Sequence, residues 1–286
     1  MPHVRGAQTL DDGVMTRFMT PRDAALHTQA HPVLWPGDDE RFAGYGVMGQ
    51  PFASGHYLAL RHMTASSIGP GYRTVWHRSP DGQWTFIADA PAAQSCARYF
   101  APSAAQTVHS DIEISWDRPC SLRVVVPGML EWRMELVSTP ATTLMSNIGR
   151  RLPTALWRND FLRRAMALGA TPLLRAGRLG LAGKAVNGQS FAAAPRLIWA
   201  VSSTSAVLRG EDLGAAHSLD RQLRLGDFRL PQRGMFAVAN AAFRTGAASV
   251  QNPELPGPSC GIASGADLQF GQDRRHVVVD GLDRQV

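Results

Sequence analysis

Apolar and polar residues alternate with a period of two along several stretches of the chain, which is the pattern of half-buried β-strands. In 108–116, one face of the predicted strand carries Val108, Ile112, Ile114 and Trp116. The stretch 130–137 alternates in the same way, with apolar residues at its even positions. Because short turns separate such stretches, the pattern predicts antiparallel strands and not β-α-β units.

A β-hairpin is predicted for 72–89, around the compact turn Ser79-Pro80-Asp81-Gly82. Trp76, Trp84 and Phe86 flank this turn, and side chains of that size require further sheet to pack against. Asn187-Gly188 is a second strong hairpin signal. Further strands are predicted at 44–50, 56–63, 122–126, 197–202, 206–209, 224–230 and 235–244.

The strand pattern is interrupted around 140–177, where prolines open and glycines close helix-compatible runs. The spacing predicts helices at 140–148, 153–168 and 172–176. The middle helix is apolar on most sides, so we expect it to be buried by neighbours or to lie against an apolar partner.

The two ends of the chain lack this periodicity. We expect 1–41 to be an irregular segment that adds little to the core, apart from a short helix capped at Thr20-Pro21. Residues 42–245 would form one β-barrel domain with the helical insertion, and 246–286, rich in Gly, Ala, Ser and Pro, would be a disordered tail.

Composition narrows the classes of function. The net charge is +6, but the arginines are dispersed and Lys184 is the only lysine, so no nucleic-acid surface is predicted. Three cysteines at unrelated spacings indicate neither a disulfide framework nor a zinc site. With no signal-peptide or transmembrane pattern in the sequence, we expect a cytoplasmic protein, with contact at a membrane surface as an alternative.

The motif W-x-x-S-P-D-G-x-W at Trp76–Trp84 and the strands I-x-W and W-x-x-x-L between Ile114 and Leu136 suggest a relationship. The chain resembles lipocalin-like or calycin-type barrels and, more loosely, is similar to the carotenoid 1,2-hydratase (AttH-like) group. Members of that group have two consecutive barrels, whereas the strands here suffice for one. The resemblance implies an antiparallel barrel with a cavity for an apolar small molecule.

Large apolar residues are the predicted ligand contacts. Leu162 and Met166 would contact the ligand from a helix that closes one mouth of the barrel. The tryptophans predicted to line the core or the cavity are Trp76, Trp84, Trp116, Trp132 and Trp199.

Polar residues on the predicted strands are weaker candidates for catalysis. Arg61, His62 and Asp89 could each supply a polar group to a barrel wall. Because an unpaired buried charge is costly, Arg61 and Asp89 would then need a partner or a ligand, and exposure to solvent is the favoured interpretation for both. The face that each residue takes depends on register, which the sequence leaves open.

Histidine and cysteine are the other residue types that could carry chemistry. His56, His62 and His77 could form a metal triad, but single half-buried histidines are common in sheets, so neither a metal site nor a cofactor is predicted. Cys96 is interpreted as a small buried apolar residue.

Three functions follow from these patterns. The first is binding of an apolar small molecule such as a lipid, isoprenoid or polyketide. The second is a cofactor-free hydratase, isomerase or cyclase acting on such a ligand. The third is a peripheral membrane protein whose arginine-bearing helices rest on an anionic surface. The sequence does not predict the oligomeric state.

Overall fold

The computed structural model describes residues 19–157 and 159–244. The helices are α1 (Pro21–Ala30), α2 (Ala97–Phe100), α3 (Pro140–Arg151), α4 (Thr154–Trp157) and α5 (Asp160–Leu174). The strands are β1 (Glu40–Val47), β2 (Gln50–Pro51), β3 (Tyr57–Ser66), β4 (Tyr72–Arg78), β5 (Trp84–Ala88), β6 (Gln106–His109), β7 (Glu113–Arg118), β8 (Ser121–Val126), β9 (Leu130–Val137), β10 (Ala182–Lys184), β11 (Ser190–Leu208), β12 (Glu211–Asp212), β13 (Arg224–Leu225), β14 (Phe228–Arg229) and β15 (Met235–Phe243).

One large sheet dominates the structure, in the order β6-β5-β4-β3-β1-β15-β11-β9-β8-β7. All neighbours in this path are antiparallel except β5 and β6, which are parallel and lie at one edge. The predicted hairpins are present, since β4 pairs with β5 and Ala182 of β10 pairs with Ala192 of β11. The prediction of a mainly β, antiparallel fold with a helical insertion is therefore confirmed.

The sheet is strongly curled. The ring of Trp116, on edge strand β7, lies 5.8 Å from the ring of Phe236 on β15, although β11, β9 and β8 lie between these strands. On a flat sheet four strand spacings would separate them by about 19 Å. The sheet is thus a half-barrel, and no ladder among the described residues joins its edge strands β6 and β7.

The predicted strand 108–116 is in fact two strands at opposite edges of the sheet. Strand β6 ends at His109 beside β5, and β7 begins at Glu113 beside β8. Between them, Ile112 is 2% exposed and packs in the interior. The break coincides with Ser110, the one polar residue on the face that carries Val108, Ile112, Ile114 and Trp116, and a single such residue did not distinguish two strands from one.

The helical insertion occupies the predicted region with different boundaries. Helix α3 begins after a capping box at Thr139, and α5 begins at Asn159, whose side chain accepts hydrogen bonds from the backbone N–H groups of Phe161 and Leu162. Pro172 lies inside α5 and does not start a separate helix. The predicted helix 153–168 is therefore divided between α4 and α5, and the predicted strand 224–230 is the small hairpin of β13 and β14.

The N-terminal segment departs from its prediction. Helix α1 begins at the predicted Thr20-Pro21 cap, but it buries Ala24 and Ala25 against the interior core, and Trp35 is 6% exposed. The expectation that residues before 40 are irregular and add little to the core is therefore wrong for these residues. The division into three parts otherwise stays a prediction, and 246–286 lies outside the described residues.

Two cores lie on opposite faces of the sheet. The interior core fills the concave face and brings together side chains from both ends of the sheet, including Leu60, Ile87, Val124, Trp132, Trp199 and Phe236. The outer core lies between the convex face and the segments 90–104 and 219–230, and includes Tyr57, Trp76, Phe86, Tyr99 and Phe243. The concave side of the half-barrel is thus filled by the chain's own side chains.

Candidate functional site

Arg61 is a buried cation on the outer face of β3. Alternation along this strand directs Leu58 and Leu60 into the interior core and Tyr57, Ala59 and Arg61 to the other face. The residue is 4% exposed, so the favoured expectation that it faces solvent is wrong. The strand pattern was correct, but it left open which of the two faces each residue takes.

The Arg61 guanidinium is held by backbone carbonyl groups. Nη1 donates to the carbonyl oxygens of Val47 at 2.7 Å and Leu60 at 2.8 Å, and Nη2 donates to that of Met48 at 3.1 Å. Its Cζ lies 4.9 Å from the centre of the Trp76 ring, a cation–π distance. Three of the five N–H groups thus donate to carbonyl oxygens, and within residues 19–157 and 159–244 the Nε–H and one Nη2–H have no hydrogen-bond acceptor.

No carboxylate of the described residues forms an ion pair with Arg61. Burial lowers the pKa of this guanidinium, yet an arginine stays cationic at neutral pH. A buried charge without a counter-ion destabilises a protein by several kcal/mol. The structure therefore holds a positive charge that an anionic ligand could neutralise.

A small apolar cavity, here called the arginine cavity, adjoins this charge. It has a volume of about 70 Å³ and is enclosed largely by small and aromatic residues. Its lining comprises Phe42, Gly44, Tyr45, Met48, Arg61, Met63, Trp76, Cys96, Phe100, Ala193, Phe228, Ala237, Ala239, Asn240, Ala241 and Phe243. Arg61 is the only residue in that lining with a charged side chain.

A second apolar cavity, the distal cavity, has a volume of about 80 Å³ and lies next to the first. The two share Met48, Ala193, Phe228, Ala237 and Ala239 as walls. At its far end the distal cavity is lined by Leu174 of α5 and by Leu179 and Ile198. The half-buried side chains of Met48 and Phe228 thus lie where the cavities adjoin.

Cys96 and Tyr72 form a buried polar pair near Arg61. The Sγ of Cys96 lies 2.9 Å from the Tyr72 hydroxyl, and burial raises the pKa of both groups. The interpretation of Cys96 as a small buried residue is confirmed, because it is 6% exposed. Its place in the wall of the arginine cavity was missed, since only the fold brings 96 to β3.

His62 and Asp89 lie elsewhere. Both line a separate surface pocket with Gln29, Thr64 and Arg73. Asp89 accepts hydrogen bonds from the backbone N–H of Arg73 at 2.6 Å and from its Nη1 at 3.4 Å. The half-buried Asp89 thus has a cationic partner, whereas no carboxylate among the described residues pairs with Arg61.

His62 follows Arg61 on β3 and therefore takes the other face. Its Nδ1 lies 2.8 Å from the hydroxyl of Tyr45, a member of the interior core. Burial, with a smaller contribution from Arg73, lowers the pKa of His62 to about 4. The three weak catalytic candidates therefore do not form one site.

The predicted tryptophan contacts also divide between the two cores. Trp76 and Trp84 belong to the outer core, and of these Trp76 lines the arginine cavity. Trp132 and Trp199 lie in the interior core, with Trp116 packed against it. Ligand binding by the set stays a prediction, but the five residues do not surround a single cavity.

Leu162 and Met166 lie on α5, away from both apolar cavities. Leu162 is half-buried, and Met166 packs beside Trp35, Trp157 and Ala194. In place of these two residues, α5 contributes Leu174 to the distal cavity. Ligand contact by Leu162 and Met166 stays a prediction, but the turn of α5 that lines an apolar cavity is the one that carries Leu174.

The three histidines considered as a metal triad, His56, His62 and His77, do not converge on one point. His56 and His77 stack, while His62 lies six residues along the strand from His56, a distance of about 20 Å. Within the described ranges, no three His, Cys, Asp or Glu side chains converge as metal ligands. The prediction that the protein has no metal site stays a prediction.

Comparison with known proteins does not identify a family or a function for the chain. No family of known proteins matches the sequence, and no curated protein is significantly similar to it. Among solved structures, the chain is similar to the crystal structure of an acetoacetate decarboxylase from Legionella pneumophila subsp. pneumophila str. Philadelphia 1, at 10% identity and a TM-score of 0.35, over 76% of this chain and 93% of that chain. A TM-score this low carries no argument about function, and the similarity to the carotenoid 1,2-hydratase group stays a prediction.

Proposed function

We propose that the protein binds an apolar small molecule that carries one acid group. The single observation that supports this is Arg61, a guanidinium buried against an apolar cavity without a carboxylate partner among the described residues. An acid group accepts hydrogen bonds from the N–H groups that Arg61 has left, and it neutralises the charge. The apolar part of the ligand then lies against Trp76 and the alanines of β15.

The size of the cavities sets a condition on this proposal. Sites for drug-sized ligands commonly have volumes of about 300–1,000 Å³, far more than either cavity offers here. A long ligand must therefore displace the half-buried side chains of Met48 and Phe228, which joins the two cavities into one channel. The channel runs from Arg61 towards Leu174 and Ile198.

A pair of matched probes tests the proposal. Retinoic acid and retinol share their apolar part and differ in the acid group, and both can quench tryptophan fluorescence. We expect the wild type to bind the acid at least about tenfold more tightly, which corresponds to one charge-assisted hydrogen bond of about 1.4 kcal/mol or more.

Variants of Arg61 test whether the tighter binding of retinoic acid depends on the charge of this residue. In Arg61→Met the preference for the acid should vanish while retinol still binds, and Arg61→Lys should retain part of it. Arg118→Gln is a control, because it removes an exposed arginine that pairs with Glu135 far from the cavity. Equal binding of both probes by the wild type, or an unchanged preference in a folded Arg61→Met, would contradict the proposal.

A second candidate function is cofactor-free catalysis on the same ligand, as a hydratase, isomerase or cyclase. The observation in its favour is the Cys96–Tyr72 pair, which places a thiol and a hydroxyl near the guanidinium. Chromatography with mass detection of the ligand after incubation tests it. A new mass (hydration) or a new isomer of the same mass (isomerisation or cyclisation) that is not formed by Cys96→Ala supports catalysis, and unchanged ligand supports binding alone.

A further inference from the structure

Exposed apolar side chains are concentrated on the helical insertion. Nine large apolar residues of the described chain are exposed, and six of these lie on α3, α4 and α5. They are Leu144, Ile148, Leu156, Phe161, Leu168 and Leu173. An apolar surface of this kind on a protein usually marks a contact with a partner or a membrane.

On α5 the exposed apolar residues share one face. Phe161, Ala165, Leu168 and Pro172 follow at steps of four, three and four residues, and all four are exposed. Phe161 is 82% exposed and Leu168 is 75% exposed. The opposite face of the helix already packs on the protein through Ala167, Ala170 and Leu174. Helix α5 is therefore apolar on the side that the fold leaves uncovered.

Helix α3 repeats the arrangement on a smaller scale. Leu144 and Ile148 are four residues apart and exposed, and Arg151 follows on the same face. The buried side of α3 lies close to β11, because a Cβ atom at Gly149 would approach the carbonyl oxygen of Pro195 to 2.7 Å. Both helices are thus fixed to the sheet by one side and expose apolar residues on another.

The charge of this region is strongly positive. Residues 140–175 contain six arginines and one aspartate, a net charge of +5. Arg164, on α5, and Arg175, at its C-terminal end, are both exposed. Arg164 lies one turn from Phe161, and Arg175 lies two turns beyond Leu168. Apolar residues flanked by arginine are the composition of helices that lie in the surface of anionic membranes.

A polar cavity of about 430 Å³, here called the basic cavity, adjoins the same helix. Arg164 lines it together with Arg41, Lys184 and Arg244, while Asp39 and Asp227 are the acidic residues of its wall. The cations outnumber the carboxylates, so the cavity favours an anion. It is wide enough for a phosphate group, and Arg164 places it next to the exposed face of α5.

We propose that the helical insertion docks on the surface of an anionic phospholipid bilayer. Phe161 and Leu168 enter the boundary between headgroups and acyl chains, Arg164 and Arg175 lie at the headgroup level, and the basic cavity receives a lipid phosphate. The contact is interfacial, since none of the described helices is long and apolar enough to cross a membrane. The positive charge favours an anionic membrane over a second copy of the chain, because two copies that met through this face would bring their arginines together.

Flotation with lipid vesicles tests the proposal. The full-length protein should float with vesicles of phosphatidylcholine mixed with phosphatidylglycerol, and not with phosphatidylcholine alone, and added salt should weaken the binding. No flotation with the anionic vesicles, or equal flotation with both kinds, would overturn the proposal.

Variants separate the apolar and the electrostatic contributions. Phe161→Ser with Leu168→Ser should lower the partition coefficient about tenfold or more. Arg164→Gln with Arg175→Gln should lower it about fivefold for each arginine. The matched controls are Val33→Ser with Val207→Ser, which removes exposed apolar residues elsewhere, and Arg221→Gln with Arg233→Gln, which removes exposed cations elsewhere. Controls that bind as weakly as the test variants would contradict the assigned face.

Sedimentation of the same proteins tests whether the exposed face of α5 binds a second copy of the chain and not a membrane. All of these substitutions are at exposed positions, so each variant should keep its thermal midpoint. A wild type that is dimeric and becomes monomeric in Phe161→Ser with Leu168→Ser, without floating on vesicles, would show that this face binds a second copy of the chain. That result would replace the membrane proposal.

Discussion

His56 and His77 form a stacked pair in which Nδ1 of the first lies 2.8 Å from Nε2 of the second, with the ring centres 5.1 Å apart. One of these nitrogens must donate and the other accept, so the pair retains its hydrogen bond only while at least one ring is neutral. Burial, followed by repulsion from His56 and Arg209, lowers the pKa of His77 to about 4. Burial also lowers the pKa of His56.

Acid should destabilise the protein through these histidines. His62 and His77 both have a pKa of about 4 in the folded state against 6.5 for an unperturbed histidine. The unfolded state therefore binds protons first, and stability is complete above pH 6.5 and falls as the pH drops towards 4. We expect urea melts to lose about 1–3 kcal/mol per histidine across this range. His77→Gln should flatten the dependence, and an equally steep dependence in that variant would contradict the assignment.

Two neighbours on β9 should differ sharply in their effect on stability. Trp132 is fully buried and donates from Nε1 to the Thr204 hydroxyl at 2.8 Å, so Trp132→Ala should cost about 3–5 kcal/mol. The Glu131 side chain is 45% exposed and pairs with Arg123 and Arg133 at the surface, so Glu131→Ala should cost a small fraction of that. Denaturant melts of both variants provide the measurement, and similar losses would contradict the assigned faces.

The wall between the two apolar cavities should control ligand affinity. Met48→Ala removes a side chain that lines both cavities and should tighten the binding of a long apolar acid. Ala239→Leu adds volume at the shared wall and should weaken it. Titration of tryptophan quenching compares the two, with Ala93→Leu at an exposed position as the control for an added leucine. If Met48→Ala weakens binding as much as Ala239→Leu does, the two cavities do not join into one channel for the ligand.

Gly46 should tolerate no side chain. A Cβ atom there would approach the carbonyl oxygen of Leu60 to 2.1 Å and the Cα of Arg61 to 3.0 Å, so β1 and β3 would have to separate. Gly46→Ala should therefore destabilise the protein by about 2 kcal/mol or more and disturb the hydrogen bonds of Arg61. Gly128→Ala is the comparison, because its surroundings are open and only its positive φ of 68° opposes the change. A Gly46→Ala protein as stable as the wild type would exclude this close approach.

Sequence periodicity was sufficient to predict where most strands and turns lie, because alternation and turn residues are local properties of the chain. It failed where the fold depends on distant contacts. The chain changes edges at 110–112, where the one polar residue on the apolar face, Ser110, was too weak a signal to predict a break. The fold also gives Asp89 a cationic partner in Arg73 and buries Arg61 without a carboxylate partner among the described residues, and neither outcome follows from local sequence. The site could not be predicted because Arg61, Cys96 and Phe228 meet only after three separate segments have packed.

The short connection between β6 and β7 acts as a tether across the open seam of the half-barrel. From His109 to Glu113 the chain has four Cα–Cα steps, so it reaches at most about 14 Å when fully extended. While the tether is intact, the end of β6 at His109 and the start of β7 at Glu113 cannot separate beyond that limit. A proteolytic cut or a long insertion at 110–112 would remove the limit. The edges of β6 and β7, which no ladder among the described residues joins, could then move apart and become accessible for pairing with another chain.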